Sequence, residues 1–443
     1  MTEILAAQDT SIGPAGSRKN ADVTAWVAVA AGALGAMLAT LDISIVNSAL
    51  PVIQGEIGAT GAEGTWIATS FLVAEIVVIP LSAWLERLFG LRTLLIIAVS
   101  AFTAFSVLCG VATDLTTMII GRTGQGFMGG VLIPTAMTIV AKRLPPHQQP
   151  IGMALFGMTV VLGPVMGPLI GGWLTENLSW HYAFFVNVPV CAILLLLLFI
   201  GLPHEKPKWE YLTDADWAGI LGLILGLGGL TVVLEEGHRE EWFESSLIRW
   251  LTVVTIIGFA CLIYGQVKAR KPVLKLQLLF NRQFASVAIM ALALGMVMYG
   301  STYVIPQFLA IISDYNAFQT GLVIFWMGVP AFLLMPVLPL MIRKVDIRIA
   351  IGTGMLLMAI SCFVSTSLTA ESGGAVFTES QLIRGAGMIL AMMFLNQATV
   401  ASVAKEDAGD ASGRRHGQQR LNGHIVVIAT IAADHQRAAL ESR

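Results

Sequence analysis

Asp42, Glu75 and Arg122 are the residues of this chain best placed to do chemistry, because each lies inside a long apolar run. A charge at the centre of a bilayer costs about 2.5–3.5 kcal/mol on insertion scales, so a membrane chain keeps one where it moves ions, pairs charges or holds a ligand. Counting helical rise, Asp42 falls roughly 7 Å, and Arg122 roughly 10 Å, to the outer side of the middle of their runs. The two share a depth. A pair at that level lowers the burial cost of both and ties the proton occupancy of the acid to the position of the helices; a static structural pair fits the same spacing. Glu75 sits near the midplane of its run with no basic residue at its level. It suits a proton carrier or a counter-charge for a cationic substrate, and equally a neutral acid hydrogen-bonded to a neighbouring helix.

The run Gly163-Pro164-Val165-Met166-Gly167-Pro168-Leu169-Ile170-Gly171-Gly172 is the second functional feature. Gly163, Gly167 and Gly171 form one bare helical stripe on which another backbone can pack closely. Pro164 and Pro168 remove two backbone donors one turn apart, giving a bend that lipid tolerates only where protein or water satisfies the freed carbonyls. Such a helix can seal or hinge a cavity; a glycine stripe also serves plain helix packing.

Composition dictates the elements that position these residues. With 56% hydrophobic and 12% charged residues and a mean hydropathy of +0.77, the chain is an all-α, polytopic membrane protein. A net charge of -2 provides no basic field for nucleic acid. The four cysteines, Cys109, Cys191, Cys261 and Cys362, lie in apolar runs without loop pairing, so neither disulfides nor a metal site is expected. There is no His-Glu-x-x-His, Gly-x-Ser-x-Gly or phosphate-binding Gly-Lys-Ser/Thr loop, so the chain does not read as an enzyme. Apolar runs long enough to cross about 30 Å of hydrocarbon fall at 25–49, 65–84, 93–112, 117–141, 151–174, 181–201, 216–234, 247–266, 284–309, 319–341, 349–367 and 381–404. Basic residues such as Arg87, Arg92, Lys142, Arg143, Lys206 and Lys208 collect in alternate loops, and acidic ones such as Glu56, Asp114 and Glu176 in the others. That asymmetry places the amino terminus, residues 1–24, in the cytoplasm.

Four segments carry a resemblance to a known family. Leu41-Asp42-Ile43-Ser44-Ile45-Val46-Asn47-Ser48-Ala49-Leu50-Pro51, Gly121-Arg122-Thr123-Gly124-Gln125-Gly126, the glycine–proline run, and Trp180-His181-Tyr182-Ala183-Phe184-Phe185-Val186-Asn187-Val188-Pro189 occur in order across residues 25–413. They resemble signatures of the 14-span drug:proton antiporters of the major facilitator superfamily, the EmrB/QacA-like group. The resemblance implies two helix bundles, at 25–201 and 284–404, with a linker at 202–283 carrying two extra spans. It makes Asp42 the proton-coupling acid and Arg122 its partner in proton transfer, and the glycine–proline run the antiporter motif (Gly163, Pro164, Gly167, Pro168, Gly171 and Gly172). The expected activity is proton-coupled multidrug efflux of hydrophobic compounds, whether cationic or neutral, across the bacterial inner membrane. It uses no cofactor, only the proton gradient. Partners are small hydrophobic substrates, protons and the lipid bilayer; the resemblance also allows a periplasmic membrane-fusion adaptor and an outer-membrane channel.

Two places complicate the match, the gate loop and the carboxyl-terminal region. The family's gate loop is expected at Ala83–Arg92, but Ala83 replaces its glycine, and Arg87 stands at the aspartate position, so Glu86 must supply the acid beside Gly90 and Arg92. A cytoplasmic positive bias alone also explains the two arginines. Asn47, Gln125, Tyr299, Tyr303 and Trp326 are candidates to line the substrate cavity, although ordinary helix packing uses the same residue types. Ile383-Arg384-Gly385-Ala386-Gly387 echoes the segment around Arg122 and fits two related bundles. The second bundle counts four spans where the family has six, and residues 405–443 read as a divergent polar tail. The expectation is an altered terminus lacking the last two spans. A truncated, non-functional transporter product and a membrane-embedded ligand sensor are therefore the alternatives to an active exporter.

Overall fold

The computed structural model describes residues 20–145, 147–213, 215–269, 282–334, 337–367, 369 and 372–407. Helices occupy every predicted span. The first bundle contains α1 (Val23–Ile57), the one-turn α2 (Gly61–Gly64), α3 (Trp66–Phe89), α4 (Leu91–Gly110), α5 (Leu115–Arg143), α6 (Gln149–Asn177), the one-turn α7 (Tyr182–Phe185) and α8 (Asn187–Gly201). The short α9 (Glu210–Thr213) leads to the extra pair, α10 (Trp217–Glu236) and α11 (Ser246–Lys268). The second bundle follows as α12 (Arg282–Ile311), α13 (Ala317–Phe325), α14 (Gly328–Leu334), α15 (Leu338–Lys344), α16 (Ile347–Val364) and α17 (Phe377–Asp407). Among the described residues there is no strand, and nine helices are long and apolar enough to cross a membrane. The predicted tail at 405–443 lies outside the described residues beyond Asp407.

Local chemistry sets the helix ends. The Asp22 side chain caps α1 by accepting from the Thr24 amide, and Asp114 caps α5 by accepting from the Thr117 amide. Gly58, at φ +73°, closes α1 in the left-handed region that lacks a penalty only for glycine. The span expected at 319–341 is not one helix but three, α13, α14 and α15. Pro330, the third residue of α14, has no amide hydrogen, and its ring crowds the carbonyl four residues back, at Trp326, where α13 ends.

The packing holds the site residues in one layer. Within the first bundle, α1 lies against α5, α6 and α8, while α5 lies against α3 and α4. The extra pair docks on the first bundle through α10 and α3, where Ile76, Val77, Ile79 and Leu81 meet Ile220, Leu223 and Leu227. A polar contact continues this seam: Glu236 at the end of α10 accepts from Thr69 Oγ1 at 2.6 Å and pairs with Arg239 at 3.1 Å. The bundles meet where α6 packs on α13, α14 and α17.

Candidate functional site

The glycine stripe faces α1. A Cβ placed on Gly163 would strike Thr40, one on Gly167 would strike Ser44, and one on Gly171 would strike Ser48. These three α1 residues are spaced by four, so two complementary stripes, one bare and one of small hydroxyl residues, lock α1 to α6 along two turns. The opposite face of α6 belongs to the second bundle: the α-carbon of Gly321 on α13 faces the backbone of Pro168 and Leu169, and Gly328 faces Val165. The glycine–proline run is therefore the layer between α1, which carries Asp42, and the second bundle.

About half a turn along α1 from Ser44, which meets the stripe's centre, lies a closed polar cluster around Asp42. Asp42 and Arg122 are 0% and 1% exposed, and the guanidinium Nη1 donates to Asp42 Oδ2 at 2.6 Å. Arg122 also donates Nε to the Ile67 carbonyl at 3.2 Å and Nη1 to Gln125 Oε1 at 3.1 Å, and lies 4.2 Å from the Phe71 ring centroid. The other carboxylate oxygen, Oδ1, accepts from Asn187 Nδ2 at 2.6 Å and from Gln125 Nε2 at 3.3 Å. Ser106 accepts from Asn187 and Gln125 at 2.9 and 3.2 Å while donating to the Phe184 carbonyl at 2.9 Å. The carboxylate of α1 receives three donors, two from α5 and one from α8, and a formal positive charge. A buried pair of this kind resists loss of either partner: removing one leaves an uncompensated charge at a cost of about 3–5 kcal/mol. One group in the cluster is unsatisfied. Asn187 Oδ1 is buried without a hydrogen-bond partner among the described residues, which costs about 1–3 kcal/mol.

The remaining candidates distribute unevenly. Glu75 is buried on α3 where that helix meets Gly130 of α5; its carboxyl has no hydrogen-bond partner among the described residues but lies within electrostatic reach of Arg122 and Asp42. Gln125, expected at the substrate cavity, is instead fully buried inside the polar cluster, because the turn that presents Arg122 to Asp42 presents Gln125 with it. Asn47 and Trp326 are exposed. The side chains of Tyr299 and Tyr303 lie outside the described residues. In the gate loop, Glu86 pairs with Lys142 of α5 at 2.5 Å rather than with a neighbouring arginine. Arg87 turns back to the Ala83 carbonyl and lies near the Tyr211 ring, and Arg92 lies over Phe199. Gly90 adopts φ +79°, and Glu205 reaches over it to accept from the Leu91 amide at 3.2 Å. Together Glu86, Arg87, Lys142, Glu205, Lys208 and Tyr211 border a cleft of about 360 Å³.

Two residues were missed as site residues by sequence reasoning. Asn187 was visible only as one letter of the segment opening the sixth span, and Ser106 carried no signal beyond being a hydroxyl in an apolar run. The echo at Arg384 departs from Arg122: it is buried and donates to Ser361 Oγ at 3.0 Å and Gln381 Oε1 at 3.3 Å, with no carboxylate at ion-pair distance among the described residues.

The chain resembles known proteins in sequence and in fold. The family model described as Major Facilitator Superfamily matches residues 32–415. The colistin resistance protein EmrB of Acinetobacter baumannii is 32% identical over 402 residues, covering 91% of this chain and 78% of that protein. The multidrug export protein EmrB of Escherichia coli K12 is 30% identical over 400 residues, covering 90% and 78%. The fatty acid resistance protein FarB of Neisseria gonorrhoeae is 31% identical over 417 residues, covering 94% and 82%. Among solved structures, the human organic anion transporter MFSD10 superposes with a TM-score of 0.65 at 14% identity, covering 94% of this chain and 93% of that one.

Proposed function

Because the chain belongs to the major facilitator superfamily, and is thus a multi-pass membrane transporter and not an enzyme, we propose that it exports hydrophobic compounds, cationic or neutral, in exchange for protons. The proposed setting is the bacterial inner membrane with the amino terminus in the cytoplasm. The names of its EmrB relatives, a multidrug export protein and a colistin resistance protein, support the substrate range. The observation that carries proton coupling is the buried Asp42–Arg122 pair.

Exchange follows from differential stability. While Asp42 is charged, the pair stabilises the arrangement that joins α1 and α5; once Asp42 takes a proton from the outer side, Arg122 loses its counter-charge. Leaving Arg122 buried without its counter-charge costs about 3–5 kcal/mol, close to the roughly 5.5 kcal/mol that takes a two-state equilibrium from 1:99 to 99:1. Proton binding is therefore large enough to bias which side of the membrane the cavity faces, and release to the cytoplasm resets it. Glu75 serves as a second carrier or as the counter-charge of a cation. The glycine–proline layer of α6 seals the two bundles against leak while α1 shifts, and the Glu86–Lys142 pair holds the cytoplasmic ends of α3 and α5 together. An adaptor and an outer-membrane channel extend the same reading.

Everted membrane vesicles energised to a pH difference test it. Ethidium added to vesicles containing the chain should partly dissipate the difference, and Asp42→Asn should abolish that response at unchanged membrane abundance. An equal response in the variant would remove Asp42 from the mechanism.

A further inference from the structure

We propose that Asn187 is the positioning residue for protonation of Asp42, its carboxamide turning end for end to accept the hydrogen of the neutral acid. This rests on the proton-coupling reading above. The argument is an inventory of donors and acceptors. In the charged state Asp42 meets donors only: Arg122 Nη1 on Oδ2, and Asn187 Nδ2 and Gln125 Nε2 on Oδ1. A protonated Asp42 adds a hydroxyl hydrogen that must find an acceptor, and in this arrangement every neighbour offers it another hydrogen.

Two amides could supply one by rotation. Gln125 Oε1 is already engaged, accepting from Arg122 at 3.1 Å and from the Cys109 thiol at 3.4 Å, so turning Gln125 would aim its amide hydrogens at the guanidinium. Asn187 Oδ1 is buried and engaged by nothing among the described residues. Rotating Asn187 therefore breaks no bond made by its oxygen, and it converts the 2.6 Å contact from Nδ2 donating to a carboxylate into Oδ1 accepting from a carboxylic acid. Ser106 still accepts from Gln125, and its hydroxyl turns from the Phe184 carbonyl to donate to the Asn187 oxygen that then lies beside it. Asn187 neither gains nor loses a proton: the hydrogen comes from water on the side then open, forms the Asp42 O–H bond and leaves by the reverse step. The titratable and charged groups that face this point are Asp42 of α1, Glu75 of α3, Cys109 of α4, Arg122 of α5 and Cys191 of α8, the helix of Asn187 itself. Only the amides among the neighbours of Asp42 can both donate and accept without changing charge, and only Asn187 has its acceptor unused.

The test is the pH profile of ethidium–proton exchange by the full chain in liposomes. Asn187→Asp supplies an acceptor and a like charge beside Asp42, so the midpoint of the profile should move up by about one pH unit or more. Asn187→Leu supplies neither donor nor acceptor, and should lower maximal exchange about tenfold with the half-saturating ethidium concentration unchanged. Should Asn187→Asp fail to insert, Asn187→Leu alone decides the matter by that split. A wild-type midpoint in Asn187→Asp, or undiminished maximal exchange in Asn187→Leu, overturns the role of Asn187. Wild-type protein that exchanges no protons at any pH overturns the underlying reading instead.

Discussion

A Gly167→Val substitution places a branched side chain where the structure leaves no room for a single carbon. A Cβ at this position collides with Ser44 Cβ and lies 3.1 Å from the Ser44 carbonyl carbon and 3.2 Å from the Ile45 nitrogen. Two of these three neighbours are backbone atoms of α1, so no side chain can swing aside. Restoring ordinary contact requires α1 to retreat by on the order of 1 Å. Asp42 lies half a turn away on the same helix, and adding that displacement to its 2.6 Å bonds to Arg122 and Asn187 takes them to the limit of hydrogen bonding. Overpacking of this kind costs about 1–3 kcal/mol, which corresponds to roughly a 5- to 150-fold loss of the sealed arrangement. In liposomes carrying a pH difference, the variant should leak protons without substrate and lose coupled exchange by roughly tenfold. Gly55→Ala, on α1 with nothing within 4 Å of its Cβ, should behave as wild type. Intact sealing and exchange in Gly167→Val would refute the claim that the glycine stripe fixes α1 against α6.

Two other perturbations test separate parts of the structure. Lys142→Met strands Glu86, which is 5% exposed while Lys142 is 42% exposed, so the single variant should melt lower in detergent than the double variant Lys142→Met/Glu86→Gln; the reverse order would show that the pair contributes nothing. The Thr117 hydroxyl and amide hold the Asp114 carboxyl below the usual carboxylate range. Because that value is depressed in the folded state, the cap's contribution is complete above the ordinary aspartate range and is lost as pH falls through the depressed value. Thermal melts across acidic pH should therefore show a component that Asp114→Asn removes.

The pair at the centre of the site was legible because helical rise is regular: counting residues from the middle of two spans placed Asp42 and Arg122 at one depth, and the structure joins them. The spans were legible for the same reason, since hydrocarbon thickness sets their length. What escaped depends on rotation and tertiary approach. Gln125 was placed at the cavity as a polar residue of an apolar run, whereas the face it shares with Arg122 points at α1 and α4. Asn187 and Ser106 reach Asp42 from helices whose adjacency no local pattern encodes. Glu86 and Lys142 were both read as loop charges, although they pair between the ends of α3 and α5. The break in the tenth span was written in Pro330, but apolar length masked it.

The central claim is that Asp42 exchanges a proton for substrate, and proteoliposomes with an imposed pH difference measure this most directly. Ethidium movement and proton movement recorded together should run in opposite directions and rise together with the size of the gradient. In Asp42→Asn both should cease while the protein remains inserted. Gradient-driven ethidium transport that persists undiminished in Asp42→Asn would contradict the account.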